Sequence, residues 1–357
     1  MRIFYGVQGT GNGHISRARA MNYHLRNCPA TTDFLFSGRE RDDYFDMDEF
    51  GHWRSLPGLT FATANGRIQP LKTLRENQLL RFWRDVNALD LSCYDLVIHD
   101  FEPVTAWAAR RQGLPTIGIG HQYAFSSAIP MEGDSLLSRR LIRHFAPADI
   151  HLGLHWHHFD QPILPPIVHL DNAIPVARDD VILVYLGFEA PEAVLQLLHQ
   201  CPDTHFIYYG KFNAPREEQN VSLRPLSVDG FRRDLHRCRG VVCNAGFELV
   251  SEALQLGKKV LVKPLKGQME QLSNAAALEQ LDLGSRMQTL DINKLQQWLC
   301  DTRYPLCHYP DVAGAIVEWI LSPNRSTVDE LANRLWQQSR LQRRATCSDI
   351  RGALTFS

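Results

Sequence analysis

Short, continuously apolar runs alternating with amphipathic stretches set the rhythm of this chain. RIFYGV at residues 2–7, then DFLFSG, YDLVIHD and TIGIGHQ, are brief and apolar throughout. Runs of that kind suit parallel strands covered on both faces. Between them, ISRARAMNYHLRN and VTAWAARRQGLP have helical spacing. So does the stretch 70–91, where Leu74, Leu79, Phe82, Trp83 and Val86 are interrupted by Arg75, Arg81 and Arg84. The Pro-rich segment 159–175, FDQPILPPIVHLDNAIP, has no helical period and reads as an interdomain linker. Beyond it the alternation restarts with VILVYLG, APEAVLQLLHQ, HFIYYG, FRRDLHR, GVVCNAG, LVSEALQLG and KVLVKP. After Leu290, INKLQQWLCD and VAGAIVEWILS read as short helices and TVDELANRLWQQSRLQRR as a polar helix.

This alternation predicts an α/β protein of two Rossmann-like domains with parallel sheets, 1–165 and 176–310, followed by C-terminal helices over 311–357. A chain of 357 residues has room for two such cores. Doubly wound sheets hold ligands at the carboxyl ends of their strands, and His14, Asp100 and His121 stand at such ends. A hydrophobic content of 44% with 22% charged residues describes a globular protein, and a net charge of −1 leaves no footprint for nucleic acid. The eight cysteines include no Cys-x-x-Cys pair, which fits reduced thiols in the cytoplasm. The N-terminus enters a strand and a glycine loop at once, and no apolar run reaches bilayer length. Neither a signal peptide nor a membrane helix is expected.

The most informative stretch runs from Cys243 to Gly284. Asn244, Ala245 and Gly246 follow the apolar run GVVC, so the chain leaves a buried strand through a turn and starts a helix. Unpaired N–H groups at such a start attract phosphate. Glu252 falls about two turns into that helix, where a carboxylate can accept both hydroxyl protons of a ribose. The strand KVLVKP follows, ending at Pro264, and then come Gln268, Glu270, Gln271 and Asn274.

In that order these residues resemble the donor-binding half of the MurG-like and family 1 glycosyltransferases. The matching positions are Asn244-Ala245-Gly246-Phe247, Glu252-Ala253, Pro264, Glu270-Gln271 and Asn274-Ala275. The resemblance implies the GT-B arrangement, two Rossmann-like domains facing each other, with C-terminal helices crossing back to the first. It also implies a nucleotide-sugar site made by Asn244, Ala245, Gly246, Phe247, Glu248 and Glu252, with Gly187 near the diphosphate and Leu226 at the nucleobase edge. Gln268, Glu270 and Gln271 would take donor-sugar hydroxyls. Plant-type family 1 enzymes usually carry His where this chain has Asn244, so one positive charge on the diphosphate is missing.

The first glycine loop invites a dinucleotide reading, but from Gly9 it runs Gly9, Gly11 and then His14, with Gly13 one place early. The second strand ends in Ser-Gly-Arg and supplies no acid for a ribose, although Arg39 would suit a 2′-phosphate. The sequence Gly9-x-Gly11-Asn12-Gly13-His14-x-x-Arg17 instead resembles the acceptor-side loop of MurG-like transferases, which implies that His14 lies in the cleft facing the donor. Gly11, Asn12 and Gly13 would approach the diphosphate, and Arg17 and His121 would lie on the acceptor side.

Sugar transfer with inversion needs a base for the acceptor proton, and His14 with Asp100 as its partner is the pair to expect. A role for His14 as a helix cap or phosphate contact, and for Asp100 as a helix cap or as the base itself, remains open at this point. Leaving-group stabilisation would come from the amides between Asn244 and Phe247, with no metal and no cofactor. The cluster His151, His155, His157 and His158 suggests a metal, yet its alternation with Leu152, Leu154 and Trp156 sends neighbours in opposite directions. The basic amphipathic segment 136–145, with Leu137, Leu141 and Phe145 beside Arg139, Arg140 and Arg143, reads as a solvated or cleft-lining helix or as a contact for anionic lipid headgroups.

The expected activity is an inverting, metal-independent transfer of a hexosyl or N-acetylhexosaminyl group. The donor would be a nucleotide-diphosphate sugar, UDP-linked, and the acceptor a glycan, lipid or small molecule, as in cell-envelope polysaccharide or glycolipid synthesis. The setting would be cytoplasmic, free or peripheral on the inner face of the membrane. The rivals are a nucleotide-sugar 2-epimerase-like enzyme of the same fold and a non-catalytic nucleotide-sugar binding protein.

Overall fold

The computed structural model describes residues 1–59, 63–64, 67–68, 79–133, 136–170 and 179–345. Among these residues the first sheet has strands β1 (Arg2–Gln8), β2 (Thr31–Ser37), β3 (Trp53–Leu56), β4 (Leu96–Asp100), β5 (Thr116–Gly120) and β6 (Ile150–Gly153). Their order is β3-β2-β1-β4-β5-β6, and every pairing is parallel. The second sheet has β7 (Val181–Tyr185), β8 (His205–Gly210), β9 (Arg216–Glu218), β10 (Val221–Pro225), β11 (Gly240–Asn244), β12 (Lys259–Lys263) and β13 (Ser285–Arg286). Its order is β9-β10-β8-β7-β11-β12-β13, with only β9 antiparallel among the described strands. The central strands β4, β5, β11 and β12 are buried along their whole length, including the polar residues His99, Asp100, Asn244, Lys259 and Lys263 at their ends.

Each sheet has one place where successive crossovers diverge. In the first it lies between β1 and β4, so the glycine loop after β1 and Asp100 at the end of β4 share a crevice. In the second it lies between β7 and β11, beside Asn244. The helices that leave these crevices are α1 (Asn12–Leu25) after β1 and α3 (Pro103–Gln112) after β4; α2 (Leu79–Ala88) precedes β4. Two more follow β5, α4 (His121–Ala124) and α5 (Leu136–Phe145). In the second half α6 (Pro191–Leu198), α7 (Val228–Arg237), α8 (Phe247–Gln255), α9 (Met269–Gln280) and α10 (Ile292–Cys300) play the same part.

One apolar cluster joins both halves. It runs from Ile3 and Tyr5 through Trp156 to Phe247 and Val250, and on to Ile316 and Leu335 in α11 (Val312–Leu321) and α12 (Val328–Gln338). Trp156 is fully buried and its Nε1 donates to Ser251 Oγ at 2.8 Å, tying the end of the first half to α8. The C-terminal helices touch the first half directly. Trp336 Nε1 donates to Ile163 O at 2.6 Å, and His24 Nε2 lies 3.1 Å from Asp311 Oδ2.

One sequence expectation changes, the extent of the last polar helix, and two others gain detail. The Pro-rich stretch is packed over its described part, with Ile163, Leu164 and Ile167 buried, because Leu164 bridges to Leu154 and extends the sheet edge; its residues 171–175 lie outside the described residues. The last polar helix stops at Gln338, and Arg340–Ala345 forms strand β15, antiparallel to β14 (Tyr304–His308). Ser339 turns extended (φ −83°, ψ 144°), and the carbonyls and amides of β14 offer the next residues a ladder in place of another helical turn. Of the helical stretch expected over 70–91, α2 accounts for Leu79–Ala88, and residues 70–78 lie outside the described residues.

Helix α3 lies so close to β1 that only glycine fits at position 6. A Cβ there would stand 2.2 Å from Thr105 Oγ1 and 2.6 Å from Thr105 Cβ. Gly6→Ala is therefore expected to lower stability by about 1–3 kcal/mol, the usual penalty for overpacking, seen as a drop of several degrees in melting temperature. An unchanged melting temperature would show that α3 moves aside without cost.

Candidate active site

The crevice of the first sheet is occupied by an ionic cluster. His14 sits in the first turn of α1, whose N-cap is Gly11 with no side-chain cap, so the ring is not used to cap the helix. Its Nδ1 lies 2.7 Å from Asp100 Oδ1. Arg17 Nη2 also lies 3.1 Å from this nitrogen. A carboxylate has no proton to give, so the contact with Asp100 calls for the proton on Nδ1, and in the neutral ring Nε2 is then the acceptor. Asp100 does not cap α3 either. Glu102 does that, accepting from Val104 N at 2.9 Å and Thr105 N at 2.6 Å. Phe101, between them, takes a left-handed φ of 49°, which turns the chain sharply after Asp100.

Arg17, one turn beyond His14, grips the same carboxylate with both prongs. Nε donates to Oδ2 at 2.6 Å and Nη2 to Oδ1 at 2.8 Å. Burial alone would raise the Asp100 pKa, but Arg17 and then His14 hold it below its ordinary value. Burial likewise opposes the Arg17 charge, and Asp100 and Glu248 outweigh it, so the guanidinium pKa rises. The remaining prong, Nη1, donates to Glu248 Oε1 on the first turn of α8, across the cleft. Burial pushes Glu248 up to about 8, helped by Asp100, Glu252 and Glu270 and opposed by Arg17.

Further contacts close the cleft. Ser16 Oγ donates to Glu252 Oε1 at 2.9 Å, and burial raises the Glu252 pKa. Gln122 Nε2 donates to Glu270 Oε1 at 3.1 Å. Gly13 leaves room for this approach, since a Cβ on it would stand 2.7 Å from Glu248 Cγ. His121 stacks on Phe247 with centroids 4.0 Å apart and planes 2° apart. Its Nδ1 and Nε2 lie 2.8 Å from Leu154 O and 2.6 Å from Asn274 Oδ1. At 2% and 1% exposure, Arg17 and His121 both make contacts between the two halves.

Several of the donor-half residues are engaged with other parts of the chain. Asn244, at the tip of β11, accepts from Phe188 N at 3.4 Å and donates to Lys263 O at 3.1 Å. Ala245 O accepts from Asn274 Nδ2 at 3.0 Å, and Gly246 is the N-cap of α8. Gln271 Oε1 accepts from Leu265 N at 2.8 Å, which ties that side chain inside its own half; buried Gln268 Oε1 has no partner among the described residues. Gly187 lies just after β7, where a Cβ would stand 3.7 Å from the Tyr185 ring, and Leu226 is exposed just after β10. On the other half Asn12 accepts from Arg39 Nη2 at 2.8 Å.

Ser16, Gln122 and Lys263 belong to this region and were not singled out by sequence. Nothing local marks them, because their partners lie in distant segments. The histidine cluster does not converge. His151 stacks on Tyr123, His155 is buried, and His157 and His158 accept backbone N–H groups from Phe159 and Asp160. Among the described residues no group of His, Cys, Asp and Glu is arranged to hold a metal ion, and no helix is long and apolar enough to cross a membrane. On α5, Arg140 and Arg143 are exposed and Phe145 stacks on Phe101 at 4.9 Å, while the side chains of Leu137, Arg139 and Leu141 lie outside the described residues.

The sequence profile of glycosyl transferase family 1 matches residues 1–302. No curated protein matches the sequence significantly. Among solved structures the chain is similar to UGT2 of Phytolacca americana complexed with UDP-2fluoro-glucose and pterostilbene, with 12% identity, a TM-score of 0.59, and 94% of this chain and 98% of that one covered. It is also similar to SsfS6 of Streptomyces sp. SF2575 complexed with thymidine diphosphate (14% identity, TM-score 0.58, 95% and 99% covered). MurG of Acinetobacter baumannii matches at 13% identity and a TM-score of 0.51, with 84% and 90% covered. At such identities the likeness shows the fold, the two-domain GT-B arrangement.

Glu248 binds its proton more tightly in the closed arrangement than in water, so its contribution to stability is complete at acid pH and is lost as pH rises through about 8. Glu248→Gln, neutral at every pH, should remove that loss. Between about pH 5 and 8 the wild-type melting temperature is expected to fall relative to the variant's. Parallel profiles would show that Glu248 does not titrate in this range.

Proposed function

The chain belongs to glycosyl transferase family 1, and on that premise we propose that it transfers a sugar, with inversion and without a metal, from a nucleotide-diphosphate sugar to an acceptor hydroxyl. The observation that carries the reading is the His14–Asp100 pair, placed at the divergence point of one sheet and held by Arg17 against the helix that starts at the divergence point of the other. A ring whose Nδ1 proton is committed to a buried carboxylate offers Nε2 to the acceptor proton.

In the transfer, the acceptor oxygen bonds to the anomeric carbon while the bond from that carbon to the diphosphate oxygen breaks. The hydroxyl proton passes to His14 Nε2, and the bonding pair leaves with the diphosphate. Asp100 stabilises the imidazolium that results. The free N–H groups at the start of α8 face the leaving group, a role that preorganised amides fill without a cation. Glu252 would take the ribose, and Glu270 with Gln271 and Gln268 the sugar hydroxyls. A uridine or thymidine donor is supported by the ligands named for UGT2 and SsfS6, and UDP is the first choice.

The test begins with a thermal-shift screen of nucleotide-sugars. A specific donor should raise the melting temperature in proportion to its saturation, and a screen in which none does would remove the reading. With the donor so found, His14→Ala should lower kcat by roughly 10²–10⁴ with donor affinity nearly unchanged, since a base acts only in the transition state. Asp100→Asn should cost a comparable or smaller factor. A His14 variant that keeps kcat and loses donor affinity would reassign the ring to phosphate contact. Turnover should also survive EDTA, whereas loss restored by Mn²⁺ or Mg²⁺ would overturn the metal-free mechanism.

A further inference from the structure

Asn244 stands where plant-type family 1 enzymes usually carry histidine, so that position brings no charge to the diphosphate. A charged group lies on the neighbouring strand. Lys263 ends β12 in register with Asn244 at the end of β11, so both side chains leave the same face of the sheet. It is 6% exposed, and its Nζ donates to Glu189 Oε1 at 2.6 Å. Glu189 belongs to the loop after β7, next to Gly187 and Phe188. Strands β7 and β12 flank β11, so this ion pair bridges the tip of the strand that carries Asn244, at the divergence point of the sheet.

The other lysines of this strand region behave differently. Lys258 and Lys259 are buried too, but each bonds backbone carbonyls, of His236 and of Trp298 respectively, at the opposite end of β12. Lys263 is paired with a carboxylate at the carboxyl edge of the sheet, where ligands bind. Taking both charges of such a pair out of water has a desolvation cost that mutual attraction does not reliably offset. A ligand that uses the cation supplies the compensation.

Resting on the donor reading above, we infer that Lys263 is the diphosphate-binding cation of this site and that Glu189 is the counter-ion it sheds when the donor binds. The charge that Asn244 does not supply is thereby supplied from the neighbouring strand. Glu189 then lowers affinity for the diphosphate, because its carboxylate competes for the same ammonium.

The experiment is titration calorimetry of the full chain with uridine, UMP and UDP, replaced by the thymidine series if the donor screen selects that base. Lys263→Met should weaken UDP by roughly 10- to 100-fold, the range for a hydrogen bond to a charged group, and uridine by less than about threefold. Glu189→Gln should tighten UDP severalfold and leave uridine unchanged, an effect opposite in sign to that of breaking a purely structural pair. Lys263→Arg, which keeps the charge and tolerates the pairing, guards against a misfolded methionine variant and should retain most of the preference for UDP over uridine. Equal losses for uridine and UDP in Lys263→Met, or weaker UDP binding in Glu189→Gln, would overturn the assignment and leave an ion pair of the fold. A wild type that binds none of the three would overturn the donor reading itself, and this assignment with it.

Discussion

A carboxylate with no exposed surface has to be matched by a cation held in place, and the arrangement of this protein follows from how Asp100 is matched. Arg17 meets it with two bonds and uses its third prong for Glu248 in the other half. That single side chain sets the position of α1 against β4 and of α8 against α1. The absence of a side chain at Gly13 follows, since Glu248 fills the space a Cβ would need. So does the orientation of the His14 ring, because Asp100 Oδ1 is shared between Arg17 Nη2 and His14 Nδ1. The group that would activate an acceptor is thus aligned by a network that reaches the donor-side helix. His14, Arg17 and Asp100 all belong to the first half, and the bond to Glu248 ties that group to the donor-side helix.

Much of this was legible in the sequence, for identifiable reasons. The strands β1, β4, β5, β11 and β12 are covered on both faces, so burial wrote itself into continuous apolar runs. The donor-half motif was legible because its residues sit within one β-α-β-α unit, where spacing along the chain is spacing in space. His14 and Asp100 were both visible as polar residues at strand ends. Their pairing, across 86 positions, was a guess that the sheet order β1-β4 makes physical.

What sequence did not show is non-local. Ser16 finds Glu252 across 236 positions and Gln122 finds Glu270 across 148, and neither residue carries a local signature. His121 and Phe247 could each be placed near a ligand by position, but not against one another. Strand β15 was hidden for a different reason: Arg340–Ala345 is rich in residues that favour helices, and the pairing with β14 overrides that preference. The Pro-rich segment connects the two sheets, and its lack of periodicity gave no sign that Ile163 and Ile167 would be buried.

The bond between Ser16 and Glu252 has a consequence for how this cleft meets a ligand. A hydroxyl from one half stands against the carboxylate that, on the proposed reading, receives a ribose hydroxyl from the donor. Glu252 already accepts from Ser16 in this arrangement, so a donor would displace the protein's own side chain before it gains that contact. Measured affinity in such a system is the intrinsic affinity scaled by the fraction of molecules that stand open. Two nucleotides with identical contacts would then separate by how well each holds the halves together after displacing Ser16. Selectivity would reside in the closed state's preference for one bound molecule over its own internal substitute.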